Sequence, residues 1–288
     1  MKKDQIKNVT NNQAAQGQVT QPTLCSKDTK ESVRSWYNMI SGGKYYWEIY
    51  HMLRMVVTND YLNGLDMQNL PESEAAGAEL LQRTVDATKA FKEILFEEKG
   101  IRLELDIPDV LAPYQIAKLI QVFFHAVQFS KREMYGDDCM LYDDEDITVM
   151  VYLDKYLYGN DIFEETGLYI PEYEDMVPRI DSRYDAFSPK YYGICEDVGF
   201  WLKVFTKKVK EFDKLDGELI PIRNGILDCR AKKLIPFSPE YLLTYKYSYL
   251  EYVESENGPV IQDVRDRTVS YTVDEWIKEV KAERKRWM

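Results

Sequence analysis

The sequence predicts an α+β fold, with a helical N-terminal part followed by a mixed domain of helices and short strands joined in hairpins. Three observations carry that expectation. Apolar residues recur at three-and-four spacing in several long segments of the first two thirds. Short apolar runs bounded by Gly, Pro, Asn and Asp dominate much of the remainder. With 288 residues, 45% of them hydrophobic, the chain has enough apolar material for a real core.

Residues 1–34 are rich in Asn, Gln, Thr and Lys and nearly free of aromatics, so they are expected to be a disordered tail. From Trp36 the texture changes to WYNMI and YYWEIYHMLRMVV. These read as a short and a longer helix, mostly buried and separated at Gly42-Gly43. Ser73 is placed to cap a helix over 74–98, in which Leu80, Leu81, Val85, Phe91, Ile94 and Leu95 form the apolar stripe and which Gly100 ends. The alternating IRLELDI then reads as a strand. Pro113 opens the next helix, with Ile116, Leu119, Ile120, Phe123, Phe124 and Val127 as its stripe.

Between Met140 and Ile170 the pattern is short strands, ITVMVY and GLYI, with a turn at Tyr158-Gly159-Asn160-Asp161. Ser188-Pro189 then caps a helix of about 22 residues that carries Tyr192, Cys195, Val198, Leu202, Phe205, Val209 and Phe212. The segment ELIPIRNGILDCRAKKLIPFSPEY reads as strand, Asn-Gly turn, strand, second turn, strand. The expected organisation is therefore a tail over 1–34, a helical region over 35–100, an α+β domain over 101–252, and a linker with a C-terminal helix over 253–288.

The net charge is -12, which argues against electrostatic binding of duplex nucleic acid or anionic membrane by the chain as a whole. The charge is unevenly spread. Tyr135 to Asp185 holds 15 acidic against 3 basic residues, whereas Trp201 to Leu250 holds 10 basic against 6 acidic. A basic patch is thus compatible with an acidic protein. No stretch has the ~18 apolar residues of a membrane span, and no secretory leader pattern is seen, so a cytoplasmic protein without membrane association is expected. Cys25, Cys139, Cys195 and Cys229 form no C-x-x-C pair and read as reduced thiols.

No nucleotide cradle is visible. Ser41-Gly42-Gly43-Lys44-Tyr45 lacks the spacing and the hydroxyl of a P-loop, and no cofactor is expected. Asp143, Asp144, Glu145 and Asp146, with Asp154 beyond ITVMVY, read as a solvated turn. The competing reading is a metal site of primase or nuclease type. His51 and His125 lie among apolar residues at helical spacing and read as structural.

Two features suggest nucleic acid. Tyr245, Tyr247 and Tyr249 share one face if their segment is a strand, with Lys246 opposite. Either they stack unpaired bases or they pack on a helix. Lys203, Lys207, Lys208 and Lys210, with Lys232 and Lys233, form either a phosphate-tracking stripe or a solvated face. If lysines and tyrosines share a face, weak binding of single-stranded DNA follows.

The segment GELIPIRNGILDCRAKKLIPFSPEYLLTYKYSYLEY resembles the region ahead of the helicase motor in phage- and plasmid-type primase/helicases, the poxvirus-primase-like N-terminal region. The agreement runs through Ile220, Pro221, Asn224, Gly225, Ile226, Leu227 and Asp228, then Leu234, Pro236, Ser238, Pro239 and Tyr241. Asn-Gly is expected to supply positive backbone angles at a tight hairpin, and the prolines to end strands. Looser agreement spans about residues 105–280, including PYQIAKLI and TVDEWIKEV.

Members of that family carry an AAA-type ATPase motor after this region. The resemblance thus implies a collar-like, non-catalytic replication module of a phage, plasmid or other mobile element, with its motor lost or separately encoded. Its partner would be a helicase/ATPase or another replication protein, and a homo-oligomer is compatible with the same reading. Two alternatives stand beside it: a metal-dependent primase or nuclease using the acidic cluster, and an acidic adaptor whose 135–185 belt mimics DNA.

Overall fold

The computed structural model describes residues 29–42, 44–130, 147–158, 161–171, 173–185, 190–215, 218–256 and 258–278. The fold is α+β, as the sequence predicts. Helices α1 (Thr29–Ile40), α2 (Tyr46–Asn63), α3 (Ser73–Lys99) and α4 (Pro113–Phe123) come first. Strands β1 (Val127–Ser130), β2 (Ile147–Tyr158) and β3 (Asp161–Ile170) follow, then α5 (Met176–Ile180), α6 (Tyr191–Phe205) and β4 (Lys207–Lys208). Six short strands complete the order: β5 (Leu219–Ile222), β6 (Gly225–Asp228), β7 (Lys233–Ile235), β8 (Leu250–Val253), β9 (Val260–Asp263) and β10 (Ser270–Thr272).

Helix α1 begins at Thr29, inside the expected tail, because Val33, Trp36 and Tyr37 are buried against α3. Lys30 lies within 2.9 Å of Glu93 and 2.8 Å of Glu97, and Arg34 within 2.8 Å of Glu97. Such exposed pairs add little next to the apolar burial. On α2, Ile49, Leu53 and Val57 are buried, but Trp47 is 54% exposed, so the segment expected to be mostly buried covers the core with one face only. The expected Ser73 cap is also replaced: Ser73 Oγ donates to the Arg179 carbonyl, and Glu72 precedes the helix. Gly100 ends α3 in the left-handed region at φ 65°, as expected.

IRLELDI is not a strand. Residues 101–108 pair with no neighbour in a ladder; Leu105 is buried beneath α3 and its carbonyl accepts from Lys92 Nζ at 2.7 Å. Helix α4 stops at Phe123, so Val127 belongs to β1 instead. Ser188 and Pro189 lie outside the described residues. The helix that follows them ends at Phe205 after 15 residues, because Lys207 and Lys208 pair in parallel with Val127 and Gln128. Val209 and Phe212 therefore pack with Phe129, Met150, Tyr152 and Tyr169 rather than continuing a helix.

The first sheet has the order β3-β2-β1-β4. Strands β2 and β3 pair antiparallel, with Tyr158 opposite Asp161; Gly159 and Asn160, the centre of the expected turn, lie outside the described residues. Helices α1–α6 and the inner face of β2 share one core, which runs across the boundary expected at residue 100. A second core holds Ile220, Ile222, Leu227, Leu250, Ile261, Val273 and Trp276 between the sheets β5-β6-β7 and β10-β9-β8. Two strands, β9 and β10, complete that core where a linker was expected, and the helical stretch over 273–278 lies within the expected C-terminal helix.

A fully buried amide ties the helical layer together. Gln115 Nε2 donates to Thr58 Oγ1 at 3.1 Å and Thr84 Oγ1 at 3.0 Å, and its Oε1 accepts from Arg54 Nη2 at 3.2 Å and Ala112 N at 3.1 Å. Near it, α3 passes so close to α5 that a Cβ on Gly77 would stand 2.0 Å from the Ile180 carbonyl oxygen.

Gln115→Leu keeps the shape but orphans the partners of the amide, so it should cost about 2 to 4 kcal/mol in denaturant unfolding. Gly77→Ala should cost about 1 to 3 kcal/mol, because the neighbour it meets is backbone and cannot rotate away.

Candidate nucleic-acid interface

The segment that carries the family resemblance forms a three-stranded meander. Leu219 to Ile222 pair with Gly225 to Asp228, and these pair with Lys233 to Ile235. Asn224 works through its side chain: Nδ2 donates to the Tyr252 carbonyl at 2.9 Å and Oδ1 accepts from Tyr252 N at 3.0 Å, so the amide pairs with the free edge of β8 as a neighbouring strand residue would. Gly225 has the positive angle expected of the pair, φ 158°, and is needed for space as well, because a Cβ there would sit 2.7 Å from the Ile235 carbonyl oxygen.

Asp228 Oδ1 accepts from Arg230 N at 2.8 Å and Ala231 N at 3.0 Å, which shapes the second turn. Pro236 follows the end of β7, as expected of a strand terminator. Pro221 differs: it lies within β5, opposite Ile226, on an edge strand where its missing N–H costs no ladder bond. Ser238 Oγ accepts from Glu240 N, and Pro239 opens a single 3-10 turn.

This meander reaches back to the first body. Phe237 packs against Gly167 of β3 so closely that a Cβ there would lie 2.2 Å from the ring. Leu243 O accepts from Tyr169 N at 2.7 Å, and Leu242 O accepts from Asp213 N at 2.9 Å. Thr244 is held by the Asp213 carboxylate through both its N–H and its hydroxyl.

The tyrosine row is not a strand face. Tyr247 makes one isolated bridge to Ile222 and meets Tyr245, Tyr249 and Trp276 edge-on, with ring centroids 6.4, 6.1 and 6.5 Å away. Tyr247 and Tyr249 pack on the second core, and the Arg265 guanidinium lies 4.1 Å over the Tyr249 ring. The same guanidinium holds the Asp263 carboxyl down at about 2. Only Tyr245, 47% exposed, offers much ring to solvent. Lys246 points away, donating to the Arg223 carbonyl at 3.1 Å.

The lysines fall into two groups on different cores. Lys232 pairs with Asp274 at 2.8 Å and Lys233 begins β7, both in the second body. Lys203 is half-buried on α6, while Lys207 and Lys208 form the edge strand β4 and Lys210 follows; these three are exposed.

Aromatics beside the second group were missed in the sequence. Trp201 stacks on Phe205 at 5.3 Å with 22° between planes, and meets Tyr114 and Phe200 edge-on. Lys118 Nζ lies 4.1 Å over the other ring of that stack, Phe205, and burial lowers its pKa. Phe200 itself is 61% exposed. The available signal was that Phe200, Trp201 and Val204 fall off the apolar stripe of α6, where a helix normally carries polar residues.

Among the described residues, no three His, Cys, Asp or Glu side chains are grouped to hold a metal ion. Asp143, Asp144, Glu145 and Asp146 lie outside the described residues, and Asp154 falls in β2. His51 is exposed on α2 beside the Tyr50 ring, and His125 meets Tyr152 edge-on. An open cleft of about 870 Å³ lies between Val110, Arg183, Tyr184 and Ile194. Its arginine is already engaged by Asp181 at 2.7 Å and by the Asp109 carbonyl, and burial pushes Tyr184 up to about 12, which leaves the phenol neutral.

Tyr247→Ala should lower the melting temperature by several degrees, because it removes a ring from the second core. Asn224→Ala should cost about 1 to 3 kcal/mol and accelerate amide exchange at Tyr252, whose N–H loses its acceptor. Compared with protein-family models and with curated proteins, the chain matches none.

Proposed function

We propose that this chain is a non-catalytic DNA-replication module of a phage, plasmid or other mobile element, acting in the cytoplasm to help a helicase motor assemble or load on DNA. The observation that supports the reading is the role of the family-like segment in the fold. Residues 219–244 supply three strands to one core and, through Phe237, Leu242 and Leu243, the clasp to the other. A segment that joins two bodies is suited to setting the geometry of an assembly. It carries no grouping of reactive side chains among the described residues. No helix of the described residues is long and apolar enough to cross a membrane. Contact with DNA in this reading is weak, because a net charge of -12 opposes it and few lysines are available to release counterions.

The test is assembly of a superfamily helicase motor encoded beside this chain, followed by native mass spectrometry and by loading onto forked DNA. Adding the chain should raise the fraction of assembled or loaded motor. Unchanged assembly and loading, or ATP turnover by the isolated chain that a substitution in it abolishes, would end the reading.

A further inference from the structure

The basic stripe and the aromatic row proposed from sequence do not belong together, but the stripe has aromatics of its own. We infer that the corner formed by the C-terminal half of α6, the facing side of α4 and the edge strand β4 binds single-stranded nucleic acid, with Phe200 and Trp201 taking bases and Lys118, Lys203, Lys207, Lys208 and Lys210 the phosphates. The inference deepens the proposed function, on which it rests only in taking a nucleic-acid strand as the ligand.

Among the described residues, lysines are gathered at the corner. Five lysines lie on α4, α6, β4 and the segment just after it, and two of the acids nearby are engaged: Glu211 lies 2.5 Å from Lys214, and Asp213 binds Thr244. Glu196 and Asp197 are exposed and lie four and three residues before Phe200, on the same face of α6, so they border the ring on the side away from Lys207, Lys208 and Lys210. The C-terminal carbonyls of α6 disfavour a phosphate by about half a charge within the last turn, which several lysines exceed.

Ring chemistry then selects among anions. A duplex hides its base faces, whereas an unpaired base can lie against an exposed ring such as Phe200. Trp201 is held in place beneath it, stacked on Phe205 and bounded by Tyr114, and Gln121 Nε2 fixes the Phe205 carbonyl at 2.9 Å. The surface is therefore pre-shaped and loses little freedom on binding. Lys118, pressed onto Phe205 and 3.4 Å from Gln121 Oε1, has an amide oxygen for company. An arriving phosphate oxygen would favour its charged form.

The experiment is fluorescence anisotropy of the full chain with a labelled strand of about 20 thymidines, titrated at several salt concentrations beside a duplex of equal length. Micromolar or weaker binding that prefers the single strand is expected. Phe200→Ala should weaken it by about fivefold or more. The triple variant Lys207→Gln, Lys208→Gln, Lys210→Gln should weaken it and lower the slope of log affinity against log salt by roughly 0.7 per lost phosphate contact. Tyr245→Ala should leave it unchanged. All the replaced side chains are substantially exposed, so unchanged melting temperatures check that each variant folds.

Four outcomes overturn the inference: no binding by the unaltered chain, binding indifferent to Phe200 and the three lysines, equal affinity for duplex, or displacement of the strand by an oligoglutamate peptide at lower concentration than by unlabelled thymidine strand. The last would assign the corner to an acidic protein segment. Motor loading measured beside strand binding separates the two proposals. If the unaltered chain promotes loading but binds no strand in the anisotropy experiment, the replication reading stands and the strand site falls.

Discussion

The amide of Gln115 is the constraint on which the helical layer depends. Its two donors and two lone-pair directions are all used, and each bond leads to a different place: Thr58 and Arg54 on α2, Thr84 on α3, and the Ala112 N–H that opens α4. The partners are themselves committed. Thr58 Oγ1 donates to the Arg54 carbonyl, Thr84 Oγ1 to the Leu80 carbonyl, and Thr88 Oγ1 to the Thr84 carbonyl. Apolar packing tolerates small shifts of one helix along another, whereas a saturated amide in a dry interior tolerates almost none. That fixes the axial position of α4, and with it Tyr114, Lys118 and Gln121, which face α6.

From α4 the constraint passes to the sheet. The chain leaves α4 through His125 at φ 45° and enters β1, whose far edge captures Lys207 and Lys208 as they leave α6. Ending α6 at Phe205 has two effects. It places a cluster of lysines on a sheet edge instead of spreading them around a helix, and it sends Phe212 into the aromatic cluster with Tyr169. Leu242 joins that cluster, so the same packing event that shapes the basic corner also seats the second body.

The second body is held by backbone matching more than by size. Asn224 completes the edge of β8, Tyr247 N donates to the Pro221 carbonyl, and Arg223 N donates to the Leu250 carbonyl. Tyrosines that could have served as a binding platform are used as packing, because the core of this body is small and each aromatic ring buries a large apolar area.

What the sequence determined by itself was the set of local decisions. The stripes of α3 and α4, the glycine stop at residue 100 and the β5–β6–β7 meander follow from periodicity and turn chemistry, which act over a few residues. The lysines of the basic corner were also legible, because charge can be counted along the chain. Tertiary structure decided the rest. IRLELDI has the alternation of a strand yet lies under α3, because alternation says that one side is buried and not what buries it. Residues 206–212 have helical spacing yet leave the helix, because β1 offers an unfilled edge. Tyr247 and Tyr249 became packed rings while Phe200 and Trp201 became the rings beside the lysines. Which aromatics meet which cations depends on contacts between residues far apart in the chain, such as Lys118 and Phe205, and no local pattern encodes them.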